Sequence, residues 1–339
     1  MAARNRLDDE DRVRVRPNPR GSRPRSKERP GHRDAIAAQV VTVDRGRYGC
    51  LLGDFTEPAS EGPVITAMKA RELGRAGVVV GDRVALVGDV SGGPGTLARI
   101  VRVEPRASAL RRSSDDDDPV ERVIVANADQ LAIVTALADP VPRPRLVDRC
   151  LVAAYDAGLD PLLVLTKADL EAPDQFVAGY RALEVPWLVT SLTGEEIIGL
   201  TSLREHLHGR VTVFVGHSGV GKSTLVNALV PGSDRAVGEV NDVTGRGRHT
   251  STSAIALELP DGGWVVDTPG VRSFGLAHVS PDDLLRGFPD LAAGTGDCPR
   301  GCTHDEPECG LDEWVAQGHA AAGGPARLES LRRLLRATR

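Results

Sequence analysis

The sequence predicts a multidomain fold in three parts: an N-terminal β-barrel, a central α/β domain and a C-terminal segment of helices and loops. Three observations support this expectation. Short β-type runs fill residues 35–108, apolar runs alternate with helical stretches over 109–277, and 278–339 contain a cluster of three cysteines. Alternating strands and helices favour a parallel sheet covered by helices. We therefore predict domain boundaries at these positions.

The size and charge of the chain limit the class of protein to which it can belong. At 339 residues it exceeds the usual size of one hydrophobic core. It has no uncharged apolar stretch of about 18 residues, so we expect no membrane-spanning segment. The first 33 residues hold 11 Lys or Arg against 5 Asp or Glu and lack the apolar part of a secretory signal. We interpret 1–34 as a disordered basic tail, either a solvated segment without function or an arm for anionic polymers.

The segment 35–108 has the pattern of a small barrel of the oligonucleotide-binding type, an OB-fold. Its β runs are AQVVTV, YGCLL, VVVGDRVALVG and LARIVRVE, with a sharp turn at Gly81-Asp82. Some barrels of this type bind RNA or sugars on one face, and others are only structural modules. Tyr48 and Phe55 are essentially its only aromatic platforms, so base stacking is weakly indicated. RNA binding and a structural role both remain open from shape alone.

A phosphate-binding loop follows the strand-like run VTVFVG. Residues 216–223 match G-x-x-x-x-G-K-S/T and lead into a helical pattern. Such a loop turns backbone N–H groups around the α- and β-phosphates, and the helix N-terminus adds partial positive charge. We expect Lys222 to reach the β- and γ-phosphates and Ser223 to ligate Mg²⁺. The predicted phosphate-binding residues are Gly216, His217, Ser218, Gly219, Val220, Gly221, Lys222, Ser223 and Thr224.

A second nucleotide motif, DTPG, ends the strand-like run WVVDT. We expect the Asp267 carboxylate to hold Mg²⁺ through water and the Gly270 N–H to bond the γ-phosphate. Alone, this tetrapeptide is also typical of an ordinary turn. The segment GRGRHTST before it would contain the first switch, where a hydroxyl of Thr250 or Thr252 completes the Mg²⁺ shell; spacing does not choose between them.

The base-recognition motif is TKAD, formed by Thr166, Lys167, Ala168 and Asp169. It resembles the guanine-specific pattern N-K-x-D. The two oxygens of Asp169 pair with the N1–H and 2-amino donors of guanine, a pair that adenine lacks, so GTP is the expected nucleotide. Thr166 stands where Asn is usual, which removes an amide that braces the loop. Residues 189–193 occupy the place of a fifth, weaker motif.

Three thiols and one imidazole lie within twelve residues, at Cys298, Cys302, His304 and Cys309. This set is sufficient for a closed, tetrahedral zinc site of the structural kind. Clustered thiols also indicate a reduced compartment, the cytoplasm. Cys50 and Cys150 lie in apolar runs and are expected in the core.

The order of the motifs is unusual. Ordinary GTPases place the phosphate loop before the base-recognition motif, whereas here TKAD comes first, so the GTPase domain is circularly permuted. A barrel, TKAD, phosphate loop, GRGRHTST, DTPG and a Cys/His cluster, in this order, resemble the ribosome small-subunit-dependent GTPase A family over 35–339. The resemblance implies a late factor in 30S subunit maturation that binds rRNA, is stimulated by the small subunit and carries a C-terminal zinc-binding domain. We expect a monomer.

The residue that positions the attacking water is not given by the motifs. Many GTPases carry a Gln after DxxG, but here Val271 follows Gly270. His249 is our candidate, acting with Lys222 in catalysis, because imidazole orients water at neutral pH. The alternatives are a surface histidine and a ribosomal group supplied in trans. Two rival functions remain: a nucleotide-regulated RNA- or protein-binding module with incidental hydrolysis, and an ATP-dependent kinase, which Asp169 disfavours.

Overall fold

The computed structural model describes residues 32–53, 55, 62–74, 77–113, 121–193, 196–231, 254–268, 274, 276, 279–321 and 323–338. Its N-terminal part is a closed barrel of β1 (Ile36–Asp44), β2 (Arg47–Leu52), β3 (Ile65–Lys69), β4 (Arg83–Gly88) and β5 (Ala98–Val103). The order β1-β2-β3-β5-β4 closes through β1–β4 pairing, and β3 runs parallel to β5. The predicted OB-type barrel is confirmed. All but the last three residues of the predicted tail lie outside the described residues.

A hairpin links the barrel to the central domain. Its strands are β6 (Ala109–Ser113) and β7 (Glu121–Ala126), which pair antiparallel. A run of four aspartates in the sequence falls between them, outside the described residues. The carbonyl of Gly81 accepts hydrogen bonds from the Gln39 and Asn127 side chains at 2.9 and 2.8 Å. A Cβ on Gly81 would meet the Ala126 carbonyl oxygen at 1.9 Å, so this junction requires glycine.

The central domain is built on a mainly parallel sheet. Its strands are β8 (Gln130–Ala136), β9 (Asp160–Thr166), β10 (Trp187–Val189), β13 (Val211–Val215), β14 (Ile255–Glu258) and β15 (Trp264–Asp267), and a side hairpin pairs β11 (Ser191–Thr193) with β12 (Glu196–Ile198). The order β10-β9-β8-β13-β15 is parallel, with β14 antiparallel beside β15. The phosphate-loop strand β13 is therefore central. The carboxyl ends of the parallel strands share one edge, where ligands bind in open α/β sheets.

Helices cover this sheet and form the C-terminal part. They are α1 (Pro144–Ala157), α2 (Asp174–Ala178), α3 (Leu200–Leu207), α4 (Lys222–Leu229), α5 (Pro281–Leu285), α6 (Pro289–Ala292), α7 (Gly310–Ala316) and α8 (Gly324–Ala337). Helix α1 begins with Pro144, whose fixed φ suits the first turn, and ends at Gly158 in the left-handed region. Among the described residues, no helix is long and apolar enough to span a membrane.

The barrel packs against the edge of the sheet. Thr42 of β1 pairs with Ile255 of β14, so the barrel continues the edge of the sheet. The ring of Phe55 stacks on Trp264, the first residue of β15, with centroids 4.2 Å apart. Tyr48 and Phe55 are both buried. The two aromatic residues considered for base stacking therefore pack inside the protein.

One hydrophobic core extends from the sheet to the C-terminal helices. It contains Leu151 of α1, Phe288 before α6 and Leu331 of α8, all fully buried. Cys50 and Cys150 are buried as expected, and burial raises the pKa of each thiol to about 12. Asp34–Arg339 form one compact unit by their contacts. The finer domain boundaries remain predictions.

Candidate functional site

The glycine-rich loop lies between β13 and α4, at the edge where the parallel strands end. A Cβ on Gly216 would lie 2.6 Å from the carbonyl oxygen of Val134 on β8. Only glycine therefore lets the loop leave β13 so close to its neighbour strand. Lys222 is the first residue of α4, so the helix N-terminus opens into the loop. This is the geometry that favours a bound phosphate.

Lys222 and Asp267 are in direct contact. The Lys222 ammonium donates to the Asp267 carboxylate, and the side chains are 13% and 18% exposed. The register of β13 and β15, which pairs Phe214 with Asp267, brings the second motif beside the loop. The buried Thr268 hydroxyl donates to the Phe214 carbonyl at 2.9 Å and fixes the chain after Asp267. No local sequence signature predicts this role of Thr268.

Thr166 joins the base-recognition motif to the phosphate loop. Its hydroxyl donates a 2.6 Å hydrogen bond to the carbonyl of Val220, and both residues are buried. Thr166 lacks the amide of the usual asparagine, but its hydroxyl braces the phosphate loop through this bond. A shorter side chain makes the bond because the end of β9 lies close to the loop.

The rest of TKAD forms a turn over the strand ends. Lys167 adopts a left-handed φ of 58°, and its ammonium donates to the Asp139 carbonyl in the loop after β8. The Ala168 N–H donates to the carbonyl of Thr190 at 3.3 Å. These contacts hold TKAD against the fifth motif, at 189–193. The Asp169 carboxylate is exposed and is therefore accessible to a ligand.

A cavity of about 280 Å³ lies between these motifs. Asp169 and Ser191 line it from the base-recognition side, and Gly221 and Thr224 line it from the phosphate loop. Its remaining lining is formed by Thr166, Lys167, Leu170, Thr190, Leu192, Ile197 and Leu225. A mostly apolar cavity with a few convergent polar groups is typical of a small-molecule site. No local sequence pattern predicts the apolar wall of the cavity. Part of this wall comes from the β11–β12 hairpin, where Leu192 is 54% exposed.

His217 lies on the other side of the loop. It is buried, its Nδ1 lies 2.9 Å from the Ser218 carbonyl, and its Nε2 has no hydrogen-bond partner among the described residues. The ring borders a small internal space with Cys150 and Phe274, not the larger cavity. Any contact of His217 with phosphate would therefore be made by its backbone.

Four predicted site residues lie outside the described part of the chain. They are His249, Thr250, Thr252 and Gly270. Their roles in catalysis, in the Mg²⁺ shell and at the γ-phosphate remain predictions.

The four predicted metal ligands come together in the C-terminal part. The nearest ligand atoms of Cys298, Cys302, His304 and Cys309 all lie within 4.8 Å of one another. The Sγ atoms of Cys298 and Cys309 are 3.9 Å apart, and His304 Nδ1 is 3.6 and 3.7 Å from them. Tetrahedral bonds to zinc of about 2.3 Å for sulfur and 2.0 Å for nitrogen imply separations of roughly 3.5 to 3.8 Å. The cluster can therefore hold a metal ion of this kind through Nδ1.

The loop around the cluster is braced by Glu306, which the sequence analysis did not identify. Its carboxylate accepts from the hydroxyl and N–H of Thr303, and these bonds lower the pKa of Glu306 to about 2. Burial lowers the pKa of His304, which favours the neutral imidazole that ligates metals. The Arg332 guanidinium of α8 donates to the His304 carbonyl at 3.0 Å. The cluster is thus attached to the last helix.

Curated relatives cover most of the chain. A small ribosomal subunit biogenesis GTPase RsgA of Pseudomonas aeruginosa (strain LESB58) is 43% identical over 245 residues, which are 70% of each protein. A protein of the same name from Pseudomonas putida (strain ATCC 700007 / DSM 6899 / JCM 31910 / BCRC 17059 / LMG 24140 / F1) is 40% identical over 266 residues, 76% of this chain and 74% of its own.

Solved structures share the fold. YjeQ from Thermotoga maritima matches 89% of this chain and 98% of its own chain, with a TM-score of 0.63 and 27% identity. YloQ, described as a circularly permuted GTPase, matches 91% of this chain and 98% of its own at a TM-score of 0.60 and 22% identity. The sequence model of the RsgA GTPase family matches residues 103–277, which contain all the nucleotide motifs described above. On this match and on the identity to its relatives, the chain belongs to the RsgA GTPase family.

Proposed function

We propose that this protein binds GTP with Mg²⁺, hydrolyses it to GDP and phosphate, and acts in maturation of the small ribosomal subunit. The observation that carries the proposal is the cavity shared by Asp169 and the phosphate loop, in a member of the RsgA GTPase family. The names of the curated relatives support the ribosomal part.

Nucleotide binding exchanges the partners of Lys222 and Asp267. In the structure the ammonium and the carboxylate neutralise each other in a mostly buried place. When GTP·Mg²⁺ binds, the ammonium turns to the β- and γ-phosphates, and the carboxylate holds a water of the metal shell. Ser223, the second residue of α4, offers its hydroxyl to Mg²⁺. Neither charge is then left without a partner.

Guanine specificity follows from Asp169 at the cavity wall. Its two acceptor oxygens pair with two donors of guanine, and an adenine would leave this pairing incomplete. Thr224 lines the same cavity from the phosphate loop. The stem of Lys167 lies against the base, and Leu192 adds apolar surface from the β11–β12 hairpin. An ATP-dependent kinase is disfavoured by this arrangement.

We infer that His249 orients the attacking water once the small subunit is bound. The sequence carries Val271 after DTPG, and valine cannot hold a water by its side chain. His249→Ala should keep GTP and 30S binding but lose most of the stimulated rate. Stimulation equal to the wild type would instead support a ribosomal group supplied in trans.

The C-terminal cluster is proposed to hold one structural zinc ion. Three thiolates and one imidazole complete a tetrahedral shell, which leaves no position for a reacting water. Bound zinc would fix the loop from Cys298 to the start of α7 and so contribute directly to folding. A reduced compartment, the cytoplasm, suits these thiols.

The barrel is proposed to contact rRNA through its backbone phosphates. Arg47, Met68 and Arg99 are cross-strand neighbours on β2, β3 and β5, and all three are exposed. Arginines reach phosphate oxygens, whereas the buried rings of Tyr48 and Phe55 cannot stack on bases. Binding of this type is strongly salt-dependent and weakly sequence-specific.

The partner is tested by binding the purified protein, expected to be a monomer, to 30S, 50S and 70S particles. Each mixture contains GTP, GDP or a GTP analogue that cannot be hydrolysed. We expect binding to 30S particles that is strongest with the analogue. Equal binding to all three particles in every nucleotide state would contradict a specific role on the small ribosomal subunit. The protein would then be a nucleotide-binding protein with another partner.

A further inference from the structure

Arg149 of α1 is a buried guanidinium that contacts two distant parts of the chain. It is 9% exposed. Its Nε and Nη2 donate to the carbonyl of Phe274, the former at 3.0 Å. Its Nη1 donates to the carbonyl of Ala337 at 3.1 Å. Burying a cation costs free energy unless its donors are hydrogen-bonded, so the two carbonyls are needed to hold the Arg149 guanidinium in this place.

The two carbonyls belong to functionally different segments. Phe274 follows Asp267 by seven residues and is 1% exposed. Ala337 is the last residue of α8, where the helix dipole places partial negative charge. Arg149 therefore bridges the segment after the second nucleotide motif to the C-terminus of the last helix.

The last helix in turn holds the metal-ligand loop. Arg332 donates to the His304 carbonyl at 3.0 Å and pairs with Asp312 of α7 at 2.6 Å. Arg336 pairs with Asp305 at 3.1 Å. A displacement of α8 would therefore act on the loop that carries His304.

We propose that Arg149 is a positioning residue that couples the bound nucleotide to the packing of α8, and this inference rests on the proposed GTP binding. GTP and GDP differ at the γ-phosphate, which the Gly270 N–H of the DTPG motif is predicted to bond. A change there alters where the Phe274 carbonyl lies, and the guanidinium transmits the change to Ala337. Because coupling between two sites is reciprocal, breaking the Arg149 bridge also alters the preference for GTP over GDP.

The planar guanidinium is suited to this role because its donors form a rigid fork that reaches two carbonyls at once. A lysine at the same place keeps the charge but cannot bridge both groups. Arg149→Lys is therefore the conservative variant, and Arg149→Met removes the cation at similar length.

Arg333 supplies a matched control. It also ties α8 to the central domain, by donating to the Gly179 carbonyl at 2.7 Å and pairing with Asp148 of α1 at 3.3 Å. Within the described part of the chain, its hydrogen bond and ion pair are with Gly179 and Asp148 and not with Phe274. Arg333→Met should loosen α8 in both nucleotide states without changing the difference between them.

The test is hydrogen–deuterium exchange of the α8 amides in the full chain, with GDP or with a non-hydrolysable GTP analogue at saturation. We expect the wild type to exchange at rates that differ by about fivefold or more between the two nucleotides. In Arg149→Lys and Arg149→Met the difference should disappear, and in Arg333→Met it should persist. Equal rates in the wild type, or an undiminished difference in both Arg149 variants, would overturn the proposal.

Binding of a fluorescent GDP or GTP analogue is measured on the same samples. If the wild type binds neither, the proposed function fails. If nucleotides bind and α8 does not respond, only the coupling fails. A thermal unfolding curve identifies any variant that has lost its fold. If Arg149→Met is unfolded, Arg149→Lys is used for the comparison because it keeps the buried charge.

Discussion

The Thr166 hydroxyl donates a 2.6 Å hydrogen bond to the Val220 carbonyl, across 54 residues of sequence. Both residues are almost fully buried, so water cannot replace the bond. It fixes the distance between the strand end that carries Asp169 and the loop that carries Lys222. A ligand that contacts both motifs then meets a preorganised site.

Thr166→Val removes this bond and leaves the Val220 carbonyl without its donor. We expect GTP and GDP to bind about three- to tenfold more weakly, since a lost buried hydrogen bond costs on the order of 1 kcal/mol. Thr166→Ser keeps the hydroxyl and serves as the control. Calorimetric titration measures both, and equal affinity of the valine variant and the wild type would refute the bracing role.

Lys222→Ala should reduce GTP turnover by at least about a hundredfold, because it removes a charge aimed at the developing negative charge of the transferred phosphate. The same change leaves Asp267 mostly buried without its cation. A double-mutant cycle with Asp267→Asn, followed by urea unfolding, should give an interaction of about 0.5–3 kcal/mol. Wild-type turnover in Lys222→Ala would remove this lysine from the site.

Asp169→Asn replaces one acceptor with a donor that faces the donors of guanine. We expect the preference for GTP over ATP to fall by about ten- to a hundredfold. Because Asp169 is exposed, the fold should be unaffected. Competition between GTP and ATP for one fluorescent nucleotide measures the ratio, and an unchanged ratio would show that another group selects the base.

Cys302→Ser should release about one zinc ion per chain and lower the unfolding temperature, since structural zinc contributes to folding. Cys150→Ala, outside the cluster, should retain the metal. In the protein without metal, burial raises the pKa of Cys302 and Cys309 and lowers that of His304. Protons therefore compete with the metal mainly for the thiolates, and the affinity of the cluster for metal falls as the pH falls. Metal analysis that finds no zinc in the wild type would end this account of the cluster.

Local sequence patterns were sufficient for much of the fold. The strand before the phosphate loop and the helix after it occur where the sequence predicts them, because each has its own hydrophobic period and terminal signal. The metal-ligand cluster was predictable for the same reason, because its four residues lie within twelve positions of one another in the sequence.

Contacts between distant segments were not predictable in this way. The pairing of Thr42 with Ile255, the stacking of Phe55 on Trp264 and the bridge made by Arg149 join residues with no local pattern in common. The hydrogen bond of Thr166 is a further example. Its residue type predicts only the loss of an amide, whereas the close approach of two elements lets its hydroxyl donate to the Val220 carbonyl.

GTP turnover by this protein is expected to depend on the small ribosomal subunit. Steady-state phosphate release by the purified chain is measured with GTP or ATP, alone and with 30S or 50S particles. Release from GTP alone should be slow, 30S but not 50S particles should stimulate it strongly, and release from ATP should be negligible. Equal rates with and without 30S particles, or a preference for ATP, would refute the proposed function.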